Sequence, residues 1–281
     1  MKKLSCLSAV IVAISLAAAC YVRSRPMEPG KAISLGSTRS PYSLVRIPSS
    51  AVHHQQGGIP RIHLWDSTSG NWSGYAVPQT GADTFSDVRG DWQIPTVTGS
   101  KRSSSYSSIW VGLDGYANAT VEPIGTEQDW TKRGQHNYAW FEMYPNGAYL
   151  ISGFPVNPGD SMTAQVQYEG NGVFQLTINN TTRGASFTVP SNYTISTSAT
   201  RQSAEWIVEA PWSGRVLPLA DFGTVNFSGC NATSTGSRGN PETISFWRFD
   251  PLTMIDPSGG RAVPSSLSSG GADFSVQWFA R

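Results

Sequence analysis

Glu205 and Glu209 are the two side chains in this sequence best placed by type and spacing to do chemistry. They lie in the run Ala204-Glu205-Trp206-Ile207-Val208-Glu209. Its alternation puts Ala204, Trp206 and Val208 on one face of a strand, and Glu205, Ile207 and Glu209 on the other. At ~3.3 Å per residue the two carboxylates are roughly 13 Å apart. A glycosidase acid and base need about 5–9.5 Å, so these two are not partners of each other. The competing reading of either is a charge on a solvated strand face.

Other hydrolytic machinery is scarce. A Ser-His-Asp or Cys-His system needs an imidazole. Beyond residue 69 the sequence offers only His136, with no G-x-S-x-G elbow, and His136 reads as a surface-loop residue. A zinc site normally draws on two or three His or Cys ligands, whereas His136 and Cys230 are all that remain there. Cys230 reads as a small buried or loop residue. No D-T-G or D-S-G triplet marks an aspartic peptidase, and no G-x-x-x-x-G-K-[ST] loop cradles phosphate. No metal or other cofactor is called for. Residues 70–281 carry seventeen acidic against twelve basic side chains, which argues against nucleic acid as a partner.

Short strands must position these residues. Met162, Ala164, Val166 and Tyr168 alternate, as do Phe174, Leu176 and Ile178 after the turn Glu169-Gly170-Asn171-Gly172. Ile244 and Phe246 continue the habit, and Val276-Gln277-Trp278-Phe279 reads as a final strand. With 28 Gly, 18 Pro and only 14% charged residues, the chain suits an all-β fold of two packed antiparallel sheets rather than a helical or disordered one. A length of 281 residues allows one large domain or two small ones.

The N-terminal part has a different character. Met1-Lys2-Lys3, the apolar or small stretch Leu4 to Ala19 and the cleavable Ala17-Ala18-Ala19 read as an export signal over residues 1–20. The stretch is short for a membrane span, and no later one is long enough. Cys20 offers a lipid-attachment point; simple cleavage nearby is the alternative. Residues 21–69 show no clean strand or helix period and carry six basic against two acidic side chains. They read as a basic prosegment docking on the acidic domain, or as a tether. Cys6 and Cys20 sit in or beside the signal, so Cys230 stands alone and a disulfide framework is excluded.

From about residue 70 onward, six blocks in order carry a resemblance. They are Asn71-Trp72-Ser73-Gly74-Tyr75, Trp92 to Val97, Ser108 to Tyr116, Val121 to Trp130, Tyr138 to Pro145 and Ala204 to Glu209. Together they resemble the glutamic peptidases, or eqolisins. The resemblance implies a lectin-like (concanavalin A-like) β-sandwich over residues 70–281 whose concave face binds an extended peptide. It also implies a removable prosegment, a secreted or cell-envelope location, and endopeptidase activity at acid pH. A monomer is expected.

The family's mechanism pairs a Glu, general base for the attacking water and then acid toward the leaving amine, with a Gln that donates to the oxyanion. Matched residue by residue, the Glu is Glu209, and cleft residues fall on Trp110, Asp114 and Glu142. An acidic family position before Ala-Trp is Tyr138 here, which implies altered hydrogen bonds around Glu142. Pro123 stands at the position of the Gln. Proline has neither a side-chain donor nor a backbone N–H, and loss of one oxyanion donor typically costs ~10²–10³ in rate. Gln128 and Gln93 are the amides nearest in the matching blocks. The alternative function is a catalytically impaired sandwich that grips peptides or glycans without cutting them.

Overall fold

The structure is a computed structural model that describes residues 40–47, 67–79, 81–255 and 261–279. The expected export signal, Cys20 and most of residues 21–69 lie outside the described residues. What is described is a two-sheet β-sandwich. The front sheet runs β15 (Asp250–Ile255), β3 (Trp72–Pro78), β12 (Ser203–Glu209), β5 (Ser108–Leu113), β6 (Glu122–Thr131), β7 (Gly134–Glu142), β8 (Ala148–Ser152) and β1 (Ser43–Arg46). The back sheet runs β17 (Phe274–Phe279), β13 (Thr224–Ser234), β4 (Phe85–Gln93), β9 (Ser161–Gly170), β10 (Val173–Asn180) and β11 (Ala185–Thr188). Strand β16 (Arg261–Pro264) pairs with both β15 and β17 and links the sheets. Short strands β2 (Ser67–Ser69) and β14 (Pro241–Thr243) flank β15 and β13, and β2–β15 is parallel where the other strand pairs of the described residues are antiparallel.

The period-2 pattern explains which face each strand buries. Met162, Ala164 and Val166 of β9 meet Phe174, Leu176 and Ile178 of β10 in the core, together with Trp206 and Val208 of β12 and Ile109 and Val111 of β5. Burial of each large apolar side chain there stabilises the fold by about 1.5–3 kcal/mol. Gly170, Asn171 and Gly172 all take positive φ (97°, 52° and 76°) at the β9–β10 turn, which Gly and Asn tolerate best. A second apolar cluster lies on the other face of the front sheet: Trp72, Ala76, Trp110, Tyr116, Val121, Trp140, Ile207 and Leu252. Strand β12 is therefore buried on both faces, and every one of its seven residues is buried.

Three expectations change. Ile244–Phe246 is a 3₁₀ turn, not a strand: the Trp247 N–H closes back on the Ile244 carbonyl at 3.1 Å. Two apolar residues spaced by two are too short a signal to separate a strand from a tight turn. Ser43–Arg46, in a stretch without periodicity, is a strand because its backbone pairs with the edge of β8. Side-chain alternation plays no part there, and only Leu44 is half-buried. His136 sits in β7 opposite Asp129 rather than in a loop, and its side chain is exposed. Cys230 is a buried free thiol on β13. Among the described residues no helix is long and apolar enough to cross a membrane.

Candidate active site

Register decides which side chains share the outer face of the front sheet, because residues directly opposite one another point the same way. Glu209 lies opposite Trp72 on β3 and Ser108 on β5, and Ser108 lies opposite Glu127, which lies opposite Tyr138. One row along, Gly74, Ile207, Trp110, Gly125 and Trp140 line up. One row further, Ala76, Glu205, Gly112 and Pro123 do so, and the β6–β7 register carries Pro123 on to Glu142. The strands thus gather Glu209, Trp110, Pro123, Glu142, Glu205 and Glu127 on one surface.

Glu209 has no exposed surface, and donors meet both of its oxygens. Oε2 accepts the Trp110 indole N–H at 2.8 Å, and Oε1 accepts the Asn71 amide at 3.1 Å. Ser69 fixes Asn71 in turn, its hydroxyl accepting the backbone N–H groups of Asn71 (3.3 Å) and Trp72 (3.0 Å). Trp72 packs edge-on against Trp110, ring centroids 4.9 Å apart. Burial pushes the Glu209 carboxyl well above its usual range; Trp110, Trp72 and Asn71 pull it back, while the charge of Glu142 pushes it up. These are the forces expected on a carboxylate held for use in a dry site.

Two glycines make room for Trp110. A Cβ on Gly125 would stand 2.2 Å from the Ile109 carbonyl and 2.5 Å from the Trp110 Cβ; one on Gly112 would stand 3.1 Å from the far edge of the indole and 3.2 Å from the Pro123 Cα. The indole therefore lies flat across the sheet, its N–H on Glu209 and its other edge toward Pro123.

Pro123 and Glu209 share the face but are not opposite each other. The side chain across Gly112 from Pro123 is Glu205, which is fully buried, with neither oxygen hydrogen-bonded among the described residues. Burial pushes Glu205 far up, against a pull from Ser203, and the charges of Asp114 and Glu122 add to the rise. Neither glutamine fills the amide role. Gln128 points to the opposite face, its amide on Thr126 Oγ1 at 2.8 Å. Gln93 is exposed on β4, its amide on the Gly159 carbonyl at 3.2 Å.

Asp114 and Tyr138 differ from expectation. Asp114 accepts the backbone N–H groups of Arg201 (2.7 Å) and Gln202 (2.8 Å) and the side chains of Asn118, Thr200 and Thr120. It ties the end of β5 to the chain entering β12. Asp114→Ala leaves two N–H groups without their acceptor, and is expected to cost about 2–6 kcal/mol, read as a fall in Tm. Tyr138 faces Glu127, not Glu142. Glu127, Asn71, Trp72 and Trp140 had no assigned roles from sequence. All four stood inside quoted blocks, and only the register shows what they face. Among the described residues no cluster of three or more His, Cys, Asp or Glu is placed to hold a metal ion.

The sequence model described as the Peptidase A4 family matches residues 70–277. The chain belongs to that family. It is 33% identical over 194 residues to aspergillopepsin-2 of Aspergillus niger, covering 62% of this chain and 67% of that one. Two solved family structures show the same sandwich. Aspergilloglutamic peptidase from Aspergillus niger superposes with a TM-score of 0.54 at 27% identity, covering 62% of this chain and 99% of that one. Scytalido-glutamic peptidase with a transition-state analogue inhibitor gives a TM-score of 0.60 at 23% identity, covering 75% and 98%. For that second structure the likeness concerns the fold.

Proposed function

We propose that this protein is an exported, acid-acting endopeptidase in which Glu209 activates the attacking water. The observation that carries the reading is the buried Glu209 carboxylate met by an indole N–H and an amide on the face gathered by β3, β12, β5 and β6. Glu205 is the rival on the same strand, but no indole or amide donor meets its oxygens and the charges of Asp114 and Glu122 push it up, whereas Trp110, Trp72 and Asn71 all pull Glu209 down. In the reaction Glu209, ionised once water reaches this face and its Trp110 and Asn71 donors outweigh the relieved burial, takes a proton from water as the water oxygen bonds to the peptide carbonyl carbon. The carbonyl π pair moves onto oxygen. When the C–N bond breaks, its pair stays on nitrogen and Glu209 returns the proton there.

Trp110 and Glu142 keep the cleft roles implied by the resemblance, and Asp114 supports the cleft by holding the strand entry in place. Glu209, Trp110 and Glu142 have no exposed surface, so substrate binding needs this face to open. Loss of a basic prosegment within residues 21–69 belongs to the same reading, and export through residues 1–20 fits a domain that works in acid.

The test is digestion of denatured casein by the full chain after a shift to about pH 3–4, with the chain's own N-terminus followed by mass spectrometry. Shortening of the chain together with new casein termini supports the reading. An unshortened or shortened chain that leaves casein intact, but still retains peptides on a column, favours the binding module, for which Pro123 is the specific support.

A further inference from the structure

We propose that Glu127, as a neutral carboxylic acid, supplies the oxyanion donor that Pro123 cannot, so that two glutamates share the reaction. This rests on the peptidase reading above. Glu127 is the acid in the same ladder row as Glu209: Glu209 faces Ser108, and Ser108 faces Glu127. Two strand spacings separate their Cα atoms by about 10 Å, and each side chain spans roughly half of that, with only the small Ser108 between. The Ser108 hydroxyl is held at the sheet: it donates to the Thr126 carbonyl at 3.2 Å and accepts the Trp140 indole N–H at 3.0 Å. A substrate carbonyl lying above Ser108 would meet Glu209 on one side and Glu127 on the other. The glutamine position of the family and the nearby amides do not reach it. Pro123 has no donor, Gln128 faces the core and Gln93 is on the back sheet.

A donor of this kind must keep its proton. Glu127 is fully buried, and burial, then the charge of Asp129 and a hydrogen bond with it, then the charge of Glu209, push it well above the usual carboxylate range, against a pull from Ser108; its O–H turns from Asp129 to the substrate oxygen as the oxyanion forms. The groups facing it are Asp129 on its own strand, Tyr138 and His136 on β7, Ser108 on β5 and Glu209 on β12. Asp129 is itself raised to about 7 by burial. None of these is a Lys or Arg that would stabilise a carboxylate at Glu127. A buried carboxylic acid kept neutral to donate to an oxyanion is established chemistry. Here the acid keeps its O–H while the oxyanion forms and collapses, so the proton balance remains with Glu209 and water.

The test compares kcat/KM on a quenched-fluorescent peptide for wild type, Glu127→Gln, Glu127→Ala, Pro123→Gln and the double variant Pro123→Gln/Glu127→Ala. Glu127→Ala should lose ~10²-fold or more. Glu127→Gln, which keeps a donor, should stay within about tenfold of wild type and lose less activity between acid and neutral pH, because its amide does not titrate. Pro123→Gln should restore the Glu127→Ala protein. Wild-type activity in Glu127→Ala, or equal loss in Glu127→Gln and Glu127→Ala, overturns the proposal. An inert wild type with an active Pro123→Gln overturns it while leaving the peptidase reading intact. Inactivity in every variant, including Pro123→Gln, defeats the peptidase reading and the proposal with it.

Discussion

Glu209→Gln is expected to lower kcat/KM on a peptide by about 10³-fold or more without unfolding the domain. The substitution keeps the shape of the side chain. Its amide oxygen can accept the Trp110 N–H that Glu209 Oε2 accepts at 2.8 Å. Its NH₂ then faces Asn71, whose own amide can turn to present its oxygen. Lost is the group that takes a proton from water and gives it back. Trp110→Phe provides a graded companion. Removing a donor to the ionised form raises the Glu209 pKa, so the acid limb of the pH–rate profile moves to higher pH. A profile of kcat/KM against pH checks both variants, and near-UV circular dichroism checks that their aromatic packing is intact.

Glu122→Gln is expected to flatten the dependence of stability on pH. Glu122 has no exposed surface and is raised from 4.5 to about 9 by burial, then by the charge of Asp114, against the Ser196 hydroxyl that donates to it at 2.8 Å. A raised folded-state pKa means that the folded chain binds the proton more tightly than the unfolded one. The stabilisation is complete below the unfolded value near 4.5 and is lost as pH rises toward about 9; the full shift corresponds to up to about 6 kcal/mol. Glu205, Glu127 and Asp129 shift the same way. The fold should therefore be most stable in acid, with Tm falling between pH 5 and pH 9, and Glu122→Gln should reduce that fall. Asp160 works with the opposite sign. Burial raises it, but Arg183, Asn180 and Asn157 pull it lower still; its contribution is present above its unfolded value and lost as pH falls through its folded one. A Tm series for the two proteins across pH measures the difference directly.

Much of this fold was legible in the sequence because its signal is periodic. The alternation in Met162–Tyr168, Phe174–Ile178 and Ala204–Glu209 states which side chains point into the core, and the glycine-rich turn 169–172 states where the chain reverses. The strand at Ser43–Arg46 was not legible, since its partner is the backbone edge of β8 and backbone pairing leaves no side-chain pattern. Of the proposed site, the resemblance in the sequence supplied Glu209, Trp110 and Glu142 as candidates. It could not supply register. Glu127 reads as one more charge in Val121 to Trp130 until β5 places it in the row of Glu209. Pro123 likewise shares the face while looking across Gly112 at Glu205. Spacing along one strand fixes a separation; only pairing between strands fixes what a carboxylate faces.

The central claim is that the clasped Glu209, rather than the unclasped Glu205, is the base. The most direct measurement is kcat/KM on one quenched-fluorescent peptide at acid pH for wild type, Glu209→Gln and Glu205→Gln. The account predicts that Glu209→Gln falls to the background rate while Glu205→Gln still cleaves the peptide at the same bond. Cleavage that survives in Glu209→Gln and disappears in Glu205→Gln would contradict it.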